Sequence, residues 1–417
     1  MPSAEPISSP LDAIVCGGGI VGAAAALGLL QRGDRVRWLR RAHAIAPLPA
    51  GYAARVYALS PGNLAWLRTL GVAPRSERIG SVRAMHIRGR HGDRLELSAQ
   101  QAGVAELALI IESDHLLHAL DAALAVHGER DAGPGDAQIS ALSATVHGDR
   151  PPATGSACRS ADPASRPASC KRDGGDALEV GLDDGSTLAT RLLIAADGAA
   201  SPLRTMAGID TIGQDYGHRA VVANFSCERP HRGIACQWFD NGAVLAWLPL
   251  PDQHISMVWS LPAARAEALM AHDEAAFTAQ VAAAGEHRWG ALTRVSPPQS
   301  FPLQRQRARR LTAARLALVG DAAHVVHPLA GQGMNLGLRD VRALLDATAG
   351  RRDPGDAVAL ARYATLRRLD VHGIEALTDG LFRLFGQPLG AWLGGHGMGL
   401  LNHLAPLKSE LVRQAMR

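Results

Sequence analysis

The chain has 417 residues, 47% hydrophobic and 20% charged, which is enough for a sizeable core and for two domains. Its net charge of +4 is mild and its Arg and Lys residues are scattered, so nucleic-acid binding is not expected, whereas a weak attraction to an anionic membrane surface is compatible with it. Cys16, Cys158, Cys170, Cys227 and Cys236 form no C-x-x-C pair and have no histidine at zinc-ligand spacing, which argues against a structural metal and a disulfide framework. With no basic leader before an apolar core, and no apolar run near the ~20 residues of a membrane span, a cytoplasmic protein is expected, its contact with a membrane at most peripheral.

In chain order, "DAIVCGGGIVGAAAALGLLQRGDRVRWLRR" comes first. Its pattern predicts a strand over Ala13–Cys16, a helix over Ile20–Gln31 closed by Arg32-Gly33-Asp34, and a second strand over Val36–Leu39. Gly17, Gly19 and Gly22 then fit G-x-G-x-x-G between a strand and a helix. The first glycine permits a tight turn, the second lets backbone approach a pyrophosphate, and the third allows close packing of helix on strand, while the helix N-terminus favours the anion. This fingerprint ordinarily ends with an acid at the tip of the second strand, which accepts from ribose hydroxyls. Here Arg40 and Arg41 stand there, and no acid follows until Glu77. Either the arginine favours a 2′-phosphorylated nucleotide, or other groups hold the ribose and affinity is lowered.

Further along, Ser113–Ala125 reads as a helix, and Gly128–Asp176 is too rich in Gly, Pro, Ser and Ala to form much core, with Pro151–Gly175 as a surface insertion. Leu178–Leu182 and Ser186–Ala196 read as a hairpin through Asp184-Gly185, and Gly242–Leu250 with Ile255–Trp259 as another. "LLIAADGAASPLR" puts Asp197-Gly198 at the end of an apolar strand, followed by Ser201 and Arg204. "LALVGDAAHVVHPLAGQGMNLGLRDV" puts Gly320-Asp321 after another and then runs into a helix. From Val341 onward the pattern is mostly helical, interrupted at Pro354-Gly355, Pro388 and Gly394–Gly399. An acid at 321 can hold sugar hydroxyls at the far end of a long cofactor. A nicotinamide dehydrogenase with a contiguous nucleotide domain has no need of it; a cofactor that spans the chain does.

These segments, together with "ARVYALS" and the C-terminal "RYATLRRLD", "TDGLFRLF" and "APLKSELVRQAM", make the chain resemble the class A FAD-dependent aromatic monooxygenases, and within them the ubiquinone-biosynthesis hydroxylase family. The resemblance covers nearly the whole length except the insertion. It implies an α/β fold: a Rossmann-like FAD-binding domain of the p-hydroxybenzoate-hydroxylase type, with an inserted β-sheet substrate domain and C-terminal helices. The FAD-binding parts would be 1–80, 111–219 and 304–417, and the substrate parts 81–110 and 220–303.

The same resemblance implies the site. Gly17, Gly19, Gly22 and Arg40 would face the adenosine side, and Arg55 would lie near the cofactor. Asp197, Gly198 and Arg204 match a motif associated with FAD and incoming NAD(P)H. Gly320 and Asp321 would bind the ribityl or pyrophosphate side, while Pro328, Gly331, Gln332, Gly333, Met334 and Asn335 would line the flavin ring, the helix dipole directed at its N1–C2=O edge. Ala53 stands where the family often has Asp, a second departure on the adenosine side. No side chain is assigned a catalytic role, His324 and His327 included, because the flavin would carry the chemistry. The implied reaction is NAD(P)H- and O₂-dependent hydroxylation of a polyprenylated phenol through a C4a-hydroperoxyflavin. The implied setting is the inner face of the membrane, with a multi-enzyme ubiquinone-biosynthesis complex as partner. The nucleotide motifs alone also permit a monooxygenase of soluble aromatics, a non-catalytic subunit of such a complex, or, less well, a flavin-free nicotinamide oxidoreductase.

Overall fold

The computed structural model describes residues 9–40, 48, 51–89, 94–127, 139–145, 177–240, 242–326, 332–368 and 370–371. Arg41, most of the glycine- and proline-rich stretch, His327, Pro328, Gly331 and the motifs beyond residue 371 lie outside the described residues. The expected βαβ unit is present as β1 (Leu11–Cys16), α1 (Ile20–Gln31) and β2 (Val36–Leu39). It is followed by β3 (Val56–Leu59), α2 (Pro61–Thr69), β4 (Gly80–Val82), β5 (Ala84–Arg88), β6 (Arg94–Ser98), the one-turn α3 (Ala99–Ala102), β7 (Ala108–Glu112) and α4 (Ser113–Ala125). Next come β8 (Ile139–Thr145), β9 (Ala177–Leu182), β10 (Thr187–Ala195), α5 (Pro202–Met206), β11 (Thr211–Cys227), β12 (Ile234–Asp240), β13 (Ala243–Leu250) and β14 (His254–Pro262). The described chain closes with α6 (Ala263–Met270), α7 (Glu274–Ala284), β15 (Leu292–Arg294), β16 (Gln299–Ala308), β17 (Thr312–Ala313), β18 (Leu316–Leu318), β19 (His324–Val325), α8 (Gln332–Thr348) and a helical stretch over 357–368.

A seven-stranded sheet has the order β17-β18-β10-β1-β2, with β9 and β8 added beyond β10. Strands β18, β10, β1 and β2 are parallel, and their apolar runs suit a sheet covered on both faces. Helix α1 is buried nearly all round, from Ile20 to Leu29, because it lies against this sheet, α4 and α8 at once. One expectation needs refining: Ile139–Thr145, inside the stretch read as too rich in Gly, Pro, Ser and Ala to form much core, is an edge strand on β9, with Ile139 buried beside Val180 and Leu182. Its short apolar alternation was hidden by the surrounding Gly and Pro.

A nine-stranded sheet has the order β19-β16-β11-β14-β13-β12-β5-β6, with β15 on β11. Residues directly opposite on antiparallel strands share a face. One face carries Val221, Phe225, Trp247 and Trp259 into a core with Phe277 and Val281 of α7 and Leu269 of α6. The other carries the transverse rows Phe301, Ala220, Ser260, Val244 and Val222, Val258, Ala246, Gln237. The β13–β14 turn holds Asp252 and Gln253 at φ 53° and 57°, the left-handed pair that matches strand twist in a tight hairpin. A third sheet, β3-β7-β4, adjoins these two.

Candidate functional site

Parallel register brings the three motif turns together. Cys16 pairs with Ala195, and Ala195 with Leu318, so the turns after β1, β10 and β18 leave the same edge of the sheet, where α/β folds bind nucleotides. Gly17 has φ +130°, and a Cβ there would sit 2.1 Å from the Ala196 carbonyl oxygen; on Gly22 a Cβ would meet the Gly17 oxygen at the same distance. Neither position admits another residue. Around Gly19, by contrast, a Cβ would meet nothing within 4 Å, α1 has no side-chain cap, and its first turn carries no acid. The helix N-terminus therefore presents open backbone N–H groups, the setting that a pyrophosphate requires.

The second turn is locked to the third. Asp197 accepts from the Ser201 hydroxyl at 2.6 Å and the Leu203 N–H at 3.2 Å, which holds the start of α5 in place. Arg204 is buried and spends its guanidinium inside the protein, donating to the Ala322 carbonyl at 2.9 Å and the Ala199 carbonyl at 2.8 Å. Its role in the structure is to staple the Asp197 and Asp321 loops together. Gly198, at φ +90°, faces open space. Cys16, next to this turn, has its thiol pushed up to about 12, by burial and then by Asp197, which makes it an inert packing group.

Asp321 is exposed, yet enough protein surrounds it that burial raises its carboxyl above the usual range, against the lowering effects of His324 and Arg55. Exposure together with desolvation describes an acid lining a recess. Arg55, also exposed, lies 5.2 Å from the Tyr57 ring and 5.6 Å from the Phe301 ring, so it links this recess to the Phe301 face of the nine-stranded sheet.

Helix α8 begins at Gln332, so Asn335 lies inside its first turns rather than opening it. Gly333 and Met334 are partly buried there, Met334 against the main core. The Asn335 side chain is buried. It accepts from the Ser60 N–H at 2.8 Å and the Asn63 amide at 2.9 Å, and donates to the Ala58 carbonyl at 2.8 Å, bolting α8 to the β3–α2 junction. Gly337 allows the closest approach: a Cβ would come within 2.8 Å of Val21 and 3.1 Å of the Gly320 Cα.

Asp340, which the sequence reading did not single out, is the hub of the third turn. It is fully buried, accepts from the Gly320 N–H at 2.9 Å and from Arg367 Nε at 2.7 Å, and stands 2.7 Å from His324 Nε2. That last contact is at ion-pair distance, and His324 helps hold the Asp340 carboxyl below its usual range. Tyr363 extends the same bracing by donating to the Leu318 carbonyl at 2.7 Å. The only sequence signal was the acid ending "NLGLRD" in a helix that also carries Arg339, Arg342 and Asp346.

Glu112 was missed as well. It accepts from the Ala53 N–H at 2.6 Å and from Arg78 Nε and Nη2, each at 2.8 Å, while Arg78 also donates to the Gly51 carbonyl. Asn224 of the nine-stranded sheet donates to the Ala53 carbonyl at 2.6 Å, and the Ser113 N–H donates to the Arg55 carbonyl. The segment leading to Arg55 is thus held through its main chain, with no demand on the side chain at Ala53. Glu112→Gln keeps an acceptor for Ala53 but weakens the bond to Arg78. It is expected to cost about 1 to 2 kcal/mol, read from the urea midpoint; an unchanged midpoint would count against the clamp.

The residues present fit FAD: an open phosphate turn that excludes side chains, and an exposed acid in a recess at the far end of the same sheet edge. A family model for an FAD binding domain matches residues 171–375. The chain is 33% identical to the ubiquinone hydroxylase UbiL of Rhodospirillum rubrum, over 97% of this chain and 89% of that protein. It is 31% identical to the 3-demethoxyubiquinol 3-hydroxylase of Escherichia coli, over 98% of each. Among solved structures, Pseudomonas aeruginosa PqsL in complex with 2-aminobenzoylacetate superimposes with a TM-score of 0.72 at 22% identity, covering 94% of this chain and 99% of that one, a likeness of fold.

Proposed function

Because the chain belongs to the ubiquinone-biosynthesis hydroxylase family of FAD-dependent monooxygenases, we propose that it hydroxylates the ring of a polyprenylated phenol, with NAD(P)H and O₂ as co-substrates. What carries this reading is the meeting of the Gly17, Asp197 and Asp321 turns at one sheet edge, beside Arg55 and the apolar rows of the nine-stranded sheet. When bound, FAD supplies the reducing equivalents taken from NAD(P)H and the activation of O₂.

The chain's own residues do the rest. The Gly17–Gly19 turn and the N-terminus of α1 hold the pyrophosphate, and Asp321 accepts from a cofactor hydroxyl. Gly320 keeps its position through Asp340, and Arg55 keeps its position through the clamped segment before it. Phe301, Ala220, Val244, Val222, Val258 and Ala246 form a mostly apolar wall, which also carries Ser260, Gln237 and, opposite Val222, Gln299. Such a wall excludes water from the reacting ring and suits a substrate with a hydrocarbon tail. Among the described residues no helix is long and apolar enough to cross a membrane. In this proposal a tailed substrate is met at the inner face of a membrane, within a quinone-biosynthesis complex.

The test is an aerobic incubation of the FAD-loaded protein with NADH or NADPH and either a prenylated phenol or its unprenylated counterpart, followed by mass spectrometry. The prenylated phenol is expected to gain one oxygen. Hydroxylation of the unprenylated phenol alone would move the substrate to the soluble aromatics. A loaded protein that consumes neither nucleotide with either phenol would fit a non-catalytic subunit.

A further inference from the structure

The fingerprint lacks its acid, and the fold answers that lack from an unexpected direction. Arg40, at the end of β2, lies beside the glycine turn: a Cβ on Gly18 would sit 3.1 Å from the Arg40 Cβ. Its guanidinium lies 4.1 Å over the Trp38 ring, and Trp38 in turn donates from Nε1 to the Gly17 carbonyl at 2.9 Å. Nη1 is 2.7 Å from Oδ1 of Asp121 on α4, a carboxylate whose side chain is 6% exposed, whereas 26% of the Arg40 side chain remains open. Nε and Nη2 make no hydrogen bond among the described residues. The guanidinium is thus fixed on one edge by an acid and on one face by an aromatic ring tied to the phosphate turn, and its other edge has no partner among the described residues.

We propose that Arg40, positioned by Asp121 and Trp38, takes the adenosine-diphosphate half of the flavin by donating hydrogen bonds where the usual acid would accept them. The proposal rests on the FAD reading and deepens it. An unpaired carboxylate beside a pyrophosphate would repel it. Covered by Arg40, Asp121 is neutralised and orients a planar fork whose donors match phosphate and ribose oxygens. The acid that the motif calls for is present in space but turned away, and the hydrogen-bond polarity of the subsite is inverted. Because a partly exposed charge contributes, affinity depends on ionic strength.

The experiment strips flavin from the purified full chain and titrates FAD back, following quenching of flavin fluorescence at low and high salt, with ADP as competitor. Arg40→Ala is expected to weaken FAD binding by about ten- to a hundredfold, to flatten the salt dependence and to remove competition by ADP. Arg40→Lys, which keeps the charge but loses the fork, falls between. The double variant R40A/D121N removes both charges and separates a lost donor from an uncovered acid; it is expected to stay weak. Single-variant affinity within about twofold of wild type overturns the proposal, as does a loss of FAD binding with ADP competition unchanged, or recovery in the double variant. A wild-type chain that takes up no FAD would take the FAD reading down with it, whereas unaltered R40A affinity removes the Arg40 assignment alone.

Discussion

Asp321→Ala should purify colourless and fail to hold FAD through desalting, with affinity lowered about a hundredfold or more, because an ionised acceptor to cofactor hydroxyls contributes strongly from within a recess. Asp321→Asn keeps the shape and an acceptor oxygen but loses the charge, and should fall between. The wild type carries a pH signature of the same group. Burial raises the carboxyl above the usual Asp range, and Asp340 adds to this, while His324 and Arg55 pull the other way. A raised acid is protonated earlier as pH falls, so flavin retention should decline at a pH above the ordinary Asp value and be complete above the raised one. Asp321→Asn should abolish that acid limb. An alanine variant that stays yellow after desalting would remove Asp321 from the site.

The largest stability effect should come from Asp340. Burial works against its charge, but His324 and Arg367 outweigh it and hold the carboxyl below the usual range. Removing the carboxylate leaves Arg367, 3% exposed along its side chain, without its buried partner. Asp340→Asn is therefore expected to lose about 3 to 5 kcal/mol, read from the urea midpoint near neutral pH. The sign with pH follows from the depressed carboxyl. The stabilisation is present above the unfolded-state Asp value and is lost as pH falls through the lower folded-state value, so the variant should lack that acid-side loss. A double change, Asp340→Leu with Arg367→Met, should recover part of the deficit, because it removes both buried charges, whereas the single variant leaves Arg367 with only the half-exposed Asp370 as partner. Recovery will be partial, since the Gly320 N–H also loses its acceptor. A single variant with the wild-type midpoint would show that the buried cluster does not hold the third turn.

Both residues belong to one mechanical chain. Asp321 is the residue proposed to meet the ligand; Asp340 holds the turn that carries it; Asn335 ties the same helix to the β3–α2 junction; and Glu112 with Arg78 holds the segment leading to Arg55. Each half of the recess is therefore fixed from behind by buried polar groups, the arrangement that keeps a binding geometry from drifting.

Much of this was legible in the residues. The βαβ unit, the glycine turn, the helix over Ser113–Ala125, both hairpins and the two acid-bearing strand ends follow from strand, turn and helix signals within short windows, and the structure has them within about two residues of the expected bounds, except that the last hairpin strand runs on to Pro262 instead of ending at Trp259. Glycine positions were legible because their steric demand is local: the tight turn at Gly17 and the packing at Gly22 are set by near neighbours and one adjacent strand. The short strand Ile139–Thr145 was not, because its alternation is brief and its surroundings are rich in Gly and Pro.

What the sequence by itself determined, then, was the fold class and the three loops that a long cofactor would need. Only the tertiary structure decided how the side chains behind those loops are used. Asp121 reaches Arg40 across 81 residues, Asn335 reaches Ser60 across 275, and Arg204 reaches Ala322 across 118. A hydrogen bond between two such distant groups leaves no mark in hydrophobic periodicity or turn chemistry, which register only what happens within a few residues. Its existence follows instead from which strands become neighbours and in what register, and those choices are made by burial of the whole core at once.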